Sequence, residues 1–537
     1  MKLYKIVVNT INKVKDKTLL IFFVLVILNA LVWVTIVPIW QFPDEQAHFG
    51  QVTFVAQKGR NPGYTEKYNL SKEIYVSEQL LGTVRDKSGN NRFTFHPDYK
   101  IEYTNSFQGK YEASISALVN TGAQSAFVHR ESTIYPILYY FPASLVYKIF
   151  QGYSLFVRVY AVRLWSILVF ASTVYLTYRI GALFFPKDKL STVTLAMLVA
   201  FQPMMVFANV GVNSDSLGNF LFTLFILLVS DVLLKGLSSR KLFALLVTVF
   251  LSVYTKPQFI VMIPVILVLL VWIFCWDMRK FWRHSIITPF FLLATSLIVL
   301  ILYIKSSISV QISVFIQKLN PTSYLKFFRG YTIPHTYREV LPWYWGIYDW
   351  LGVTYPRIVH RIINVVLAIS LLGFGIYLIS IFRKGKWHER NVQAVFFLIF
   401  INLIFYIGVS SYDWMSWYTS GFQLGVQGRY FFPLISSDML FLLIGIKSIV
   451  PSKSEWQNKA IKLAANLMIL LDIFALCTVA KIYYSLSDMK TFLLQVSQYK
   501  PTLLKGNGII FLFGLYIICM GLFLIKYNSY SNDKKAV

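Results

Sequence analysis

Cysteine is nearly absent: Cys275, Cys477 and Cys519 are the only 3 in 537 residues, and all lie inside apolar runs. No polar stretch carries a cysteine pair, which excludes a disulfide-stapled scaffold and a cysteine zinc site. Charge is scarce as well. Charged residues make up 14% of the chain, little for a soluble surface, and acids are the scarcer kind, 24 against 51 bases. The net charge of +27 does not mark a nucleic-acid binder, because the bases form no single stripe. They gather in short clusters between apolar runs, the pattern that holds loops in the cytoplasm and against its anionic lipids. A cleavable leader is not expected either. Thr18–Trp40 is too long for a signal-peptide core and lacks a small-residue cleavage site before Pro43, so it reads as a retained first span.

In place of charge the chain has hydrophobic residues, 56%, with aromatics at 17%. Apolar runs of about 20 residues match a bilayer core of about 30 Å. They recur at 18–40, 156–179, 190–209, 215–234, 241–254, 258–276, 284–305, 357–382, 391–411, 430–448, 462–485 and 508–526. These predict an all-α polytopic membrane protein with about 12 transmembrane helices. The run 241–254 is short, and with its successor forms either a hairpin or one broken helix.

Ile134–Phe150 decides the parity. If it lies flat, Arg179/Lys187/Lys189, Lys235/Arg240/Lys241, Arg279/Lys280/Arg283, Arg383/Lys384/Lys386/Arg390 and Lys447/Lys453/Lys459/Lys462 share one side. The terminal segments bearing Lys2, Lys5, Lys13, Lys15 and Lys17, and Lys526, Lys534 and Lys535, join them. If it crosses, the internal clusters are all exported. The positive-inside rule therefore predicts an interfacial helix there, which Tyr135, Tyr139, Tyr140, Tyr147, Pro136 and Pro142 suit. Both termini then face the cytoplasm. The organisation expected is a cytoplasmic tail 1–17, a transmembrane module 18–450, and C-terminal helices and tail 451–537. The module includes a first external loop 41–155 with short interfacial helices and an external aromatic loop 306–356. Within the first, Asn91–Phe95 alternates weakly like a strand.

The polar residues that stand out fall on one predicted face. Phe42-Pro43-Asp44-Glu45-Gln46-Ala47-His48-Phe49 follows the first span. Pro43 suits the first turn of a helix, whose dipole would hold Asp44 ionised, and Asp44 and His48 share a face at i, i+4. Asn213-Ser214-Asp215 opens another span, and Lys256 sits at the tip of the short hairpin. Pro342-Trp343-Tyr344-Trp345-Gly346-Ile347-Tyr348-Asp349-Trp350 precedes a later span, and Gln427-Gly428-Arg429-Tyr430 opens the next but one. Each has a plainer reading: Asp44 and Asp215 as helix caps, Lys256 as a snorkelling side chain, the tryptophans as belt anchors. Their convergence favours a site. Trp343, Trp345, Asp349 and Gln427 suit a sugar or acceptor, and Arg429 a phosphate, with Arg158 and Arg163 at the same face. Asp438 and Asp472 lie inside apolar runs and need partners there.

The motifs Pro43-Asp44-Glu45-x-x-His48-Phe49, Tyr135-Pro136-Ile137-Leu138-Tyr139-Tyr140, Asn213-Ser214-Asp215, Trp345-Gly346 and Gly428-Arg429-Tyr430-x-x-Pro433 occur in that order. In them the chain resembles a bacterial family of predicted multispanning membrane proteins of unknown function, over residues 18 to 450. That family in turn resembles the GT-C membrane glycosyltransferases. Departures are Phe42 in place of a second proline, Trp343-Tyr344 in place of Ser-Phe, and Tyr348-Asp349-Trp350 in place of Phe-Gly-Trp. The resemblance implies a bacterial plasma-membrane enzyme with a GT-C-like bundle. Asp44 would act at the outer face with Glu45 beside it, Asp215 would be a second acid, and Arg429 and Lys256 would hold a lipid phosphate.

The function expected is transfer of a sugar from a polyprenyl-phosphate donor to an extracytoplasmic cell-envelope glycan. Asp44 would be the base, His48 its orienting neighbour, and Arg429, Lys256 and Arg163 the phosphate ligands. Paired acids at Asp44 and Asp215 permit Mg²⁺ or Mn²⁺, although nothing requires a metal or another cofactor. The alternative is a lipid-linked glycan flippase that uses Asp438 and Asp472 as coupling sites. A scaffold for envelope assembly is a third reading.

Overall fold

A computed structural model describes residues 17–276 and 320–530, apart from 64, 88, 130–133 and 452–453. The expected span 284–305, the cluster Arg279/Lys280/Arg283, residues 306–319 of the aromatic loop and almost all of the tail 1–17 lie outside the described residues.

The first span is α1 (Lys17–Ile36), apolar on every side, as a bundle-core membrane helix must be. After it come α2 (Glu45–Lys58), the strand β1 (Tyr68–Ser71) and α3 (Lys72–Leu81). β1 pairs antiparallel with β2 (Phe127–His129), and α4 (Tyr140–Ile149) follows. Asn91–Phe95 is no strand: the Asn91 side chain accepts the Phe93 N–H at 2.9 Å and folds the segment into turns. At ten residues, α4 is about 15 Å long, too short to cross. Phe141, Leu145 and Ile149 are exposed along one side of it, an apolar stripe of the kind that suits an interfacial helix.

The bundle continues with α5 (Leu155–Phe184), α6 (Lys189–Ala200) and α7 (Pro203–Val210). Pro203 forces a new helix start after Gln202, so α6 and α7 form one apolar unit bent by 58°. α8 (Asp215–Lys235) is a full span, whereas α9 (Ser239–Val253) and α10 (Met262–Trp276) are only 15 residues each. The hairpin β3 (Ile347–Tyr348) and β4 (Val353–Thr354) leads into α11 (Arg357–Lys384) and α12 (Arg390–Ser420). The last elements are α13 (Ile435–Ile449), α14 (Glu455–Tyr483), α15 (Met489–Val496) and α16 (Asn507–Asn528). Among the described residues, 8 helices are long and apolar enough to cross a membrane, or 9 with the bent pair. The fold is therefore a helical membrane bundle with two small ribbons and no closed sheet among the described residues.

Two contacts set the bundle's ends. α11 and α13 meet backbone to backbone at Gly373 and Gly445, where a Cβ on either would run into the other helix's carbonyl oxygen. At one end Lys447 reaches Asp188, between α5 and α6, at 2.6 Å. The C-terminus of α1 and the N-termini of α5, α8 and α13 meet at the other end, and the polar motifs are there.

Candidate functional site

Helix α2 positions the site. Asp44 is its N-cap, with φ of 56°, and its side chain makes no capping hydrogen bond. The helix begins at Glu45, so Pro43 belongs to the turn before it rather than to the first helical turn. The Asp44 carboxylate is tied instead to two arginines, Arg429 Nη2 at 2.9 Å and Arg85 Nη1 at 3.5 Å. Burial alone would raise its pKa, but Arg429 and Arg85 outweigh that and hold it at about 2. The two arginines keep Asp44 ionised.

His48 lies one turn on. Its Nδ1 is 2.7 Å from the Tyr140 hydroxyl, and its ring stacks on Tyr135 at 5.7 Å and Tyr140 at 6.1 Å. Burial, reinforced by Lys256 and Arg429, outweighs Asp44 and Asp215 and holds the imidazole down at about 3, so it is neutral near pH 7. Gln51, on the same side of α2, clamps the backbone of Tyr135. Its Oε1 accepts the Tyr135 N–H at 3.1 Å, and its Nε2 donates to the Tyr135 carbonyl at 2.6 Å.

The second acid is adjacent. Asn213 donates through Nδ2 to the Pro43 carbonyl at 3.2 Å, and its Oδ1 accepts the Asp215 N–H at 2.8 Å. Asp215 is ion-paired with Lys256, whose Nζ sits 4.9 Å above the Tyr135 ring. Arg429 completes the site. Its Nε donates to Gln427 Oε1 at 2.9 Å and its Nη2 to Asp44, while the buried Nη1 has no partner among the described residues. Asp44, His48, Asp215, Lys256, Gln427 and Arg429 are thus brought into one cluster, as the motifs imply.

Other expected site residues are not in it. Glu45 and Arg163 are wholly buried and pair with each other, Nε to Oε1 at 2.8 Å and Nη2 to Oε2 at 2.6 Å. Glu45 also accepts the N–H groups of Trp40 and Val212, and Arg163 donates to the carbonyls of Val34, Val37 and Pro38. Their hydrogen-bonding capacity is spent on joining α1, α2, α5 and the chain entering Asn213. Neither is placed to meet a substrate. Arg158 is likewise consumed by Glu73 and Tyr147. Asp438 accepts from the Tyr344 hydroxyl at 3.0 Å; Asp472 accepts from Trp33 Nε1 at 3.0 Å through Oδ1, while its buried Oδ2 has no partner among the described residues.

The aromatic loop meets the site through its backbone: Gly428 packs on the main chain of Trp343 and Tyr344 so closely that a Cβ would not fit. Trp345 is buried and Trp343 half-buried. Asp349 is buried in a left-handed turn with Trp350 and Leu351, φ 51°, 49° and 66°, and its carboxyl is pushed by burial up to about 7. Only glycine takes such a φ freely. Asp349 is a strained, buried residue and shows no contact with Asp44, His48, Asp215, Lys256 or Arg429.

Arg85 and Tyr140 were not legible as site residues. Arg85 comes from an irregular segment of a polar stretch without periodicity, and Tyr140 from a motif that looks merely interfacial. Among the described residues no three His, Cys, Asp or Glu side chains are grouped to hold a metal ion, and Asp44 and Asp215 each face a cation instead. In this arrangement the charges of the two acids are met by Arg429, Arg85 and Lys256. No curated protein and no solved structure matches the chain at a significant level. A family model for predicted membrane proteins, DUF2142, matches residues 23–437, most of the chain and all of these motifs, and the chain belongs to that family.

Proposed function

We propose that this protein is a membrane glycosyltransferase of about 12 crossings that moves a sugar from a polyprenyl-phosphate donor to a cell-envelope glycan hydroxyl. One observation carries the reading: the Asp44 carboxylate, 35% exposed at a bundle end, stands among Arg429, Arg85 and, across His48, Lys256. A carboxylate next to bound cations is what the reaction needs. The acceptor O–H proton passes to Asp44 as the acceptor oxygen bonds to the anomeric carbon. The bond from that carbon to the phosphate oxygen breaks, its electron pair stays on the phosphate, and Arg429 and Lys256 stabilise the charge. His48, being neutral, adds no repulsion to the cations and holds the Tyr140 hydroxyl in place.

Charge supports the proposed orientation. Lys447 and Lys241 lie at the end opposite Asp44, and the positive-inside rule favours a cytoplasmic face there and, with it, a site at the outer face of a bacterial plasma membrane. No nucleotide sugar is available there, so an activated sugar has to arrive on lipid. In liposomes, purified protein is expected to transfer label from at least one polyprenyl-phosphate sugar. No transfer from any donor, with lipid-glycan translocation intact, would refute the reading and support a flippase instead, for which Asp472, buried within α14, is the suggestive feature.

A further inference from the structure

Arg429 holds Asp44, and the same guanidinium is the natural phosphate ligand. Three observations bear on this double role. Nε donates to Gln427, which anchors that edge of the planar guanidinium and leaves its Nη1–Nη2 end to meet a ligand. Nη1 is buried without a partner among the described residues, a cost that a native site offsets when something binds there. Nη2 is given to Asp44. A phosphate gripped end-on by an arginine uses Nη1 and Nη2 together, so it takes the free donor and competes with Asp44 for the other.

Asp44 is able to let go. Its side chain makes no cap to α2, its other tie, to Arg85, is at 3.5 Å, the limit of a hydrogen bond, and it is partly solvent-exposed. Lys256 is the second cation, with one partner at Asp215 and donors to spare.

We propose that Arg429 is an exchangeable clamp: paired with Asp44 it masks the carboxylate, and a bound phosphomonoester or phosphodiester draws it off and unmasks the base. The inference rests on the glycosyltransferase reading and adds to it an order of events, phosphate first and base second. It also sets a sign. Asp44 competes with the ligand for Arg429, so removing its charge strengthens phosphate binding while removing the base.

The test is binding of farnesyl monophosphate to the full-length protein in detergent, with farnesol and inorganic phosphate as separate ligands. Asp44→Asn is near-isosteric, Asp44→Ala repeats the charge loss, and thermal midpoints verify that both remain folded. Both variants are expected to bind farnesyl monophosphate severalfold more tightly than wild type, and Arg429→Gln about tenfold or more weakly. Farnesol affinity is expected to stay unchanged in all three; inorganic phosphate is expected to follow the farnesyl phosphate trend at lower affinity. Weaker or unchanged binding in both Asp44 variants, with wild-type binding measurable, would overturn the clamp and leave the donor assignment standing. No phosphate-dependent binding by wild type or any variant would overturn the clamp together with the donor assignment.

Discussion

Removing Arg163 is expected to cost far more stability than removing Arg429. Arg163 and Glu45 have no solvent exposure at all, and the five N–H donors of the guanidinium face the carboxylate and three backbone carbonyls. Arg163→Met leaves the buried Glu45 charge with two backbone N–H groups only, a loss of about 3–5 kcal/mol for a broken buried pair. That is a large part of the total stability of about 5–15 kcal/mol typical of a folded domain. Glu45→Leu should lose a similar amount. The double variant Glu45→Leu/Arg163→Met should lose less than the two losses added, with a coupling of about 2 kcal/mol, because it leaves no unpaired charge. Arg429→Gln, whose partner Asp44 is a third exposed, should cost about 1 kcal/mol or less. Reversible unfolding in mixed micelles, read by tryptophan fluorescence, measures all four. Single losses below about 1 kcal/mol with an additive double variant would refute the account of Glu45–Arg163 as a structural clasp.

Three further outcomes follow from the same geometry. His48 has its pKa lowered from 6.5 to about 3 in the fold, against Asp44, Asp215, Lys256, Arg429, Tyr135 and Tyr140, so acid favours the unfolded chain as pH falls through that window. Wild type should lose about 2 kcal/mol more than His48→Gln between pH 7 and pH 5, and equal losses would contradict it. Asp349→Gly should stabilise by about 1 kcal/mol through its left-handed φ, and more at pH 8 than at pH 5, since a carboxyl raised to about 7 is penalised once ionised. A destabilised variant would point to a contact of Asp349 that strain and burial do not explain. Gly445→Leu would meet the Ser370 carbonyl and separate α11 from α13, at about 3 kcal/mol, and a wild-type melting temperature would show the helices free to part.

Much of the helical frame was legible because a bilayer dictates the length of an apolar run. That the run at α4 is too short to span was legible from charge parity, and the bend between α6 and α7 follows from Pro203. The grouping of Asp44, His48, Asp215, Lys256 and Arg429 came from topology, since the motifs follow alternate helices to one end. Partner choice was not legible. Nothing local distinguishes Glu45, spent on a residue in α5, from Asp44, one position away and facing the opposite side of the turn. Arg163 reads the same from sequence whether it meets a phosphate or a buried carboxylate. Asp349 looked like a sugar ligand among aromatics, and its place in the turn depends on a backbone conformation that composition does not encode. Arg85 reaches Asp44 only through the folding of an aperiodic loop.

The central claim is that Asp44 serves as the base of a sugar transfer at the outer face. The most direct test reconstitutes wild type and Asp44→Asn side by side in liposomes and measures transfer from polyprenyl-phosphate sugars under saturating donor. The account predicts turnover by wild type and a loss of about 10²-fold or more in Asp44→Asn, with melting temperature retained and phosphate binding strengthened. Transfer at the wild-type rate in the variant would contradict it.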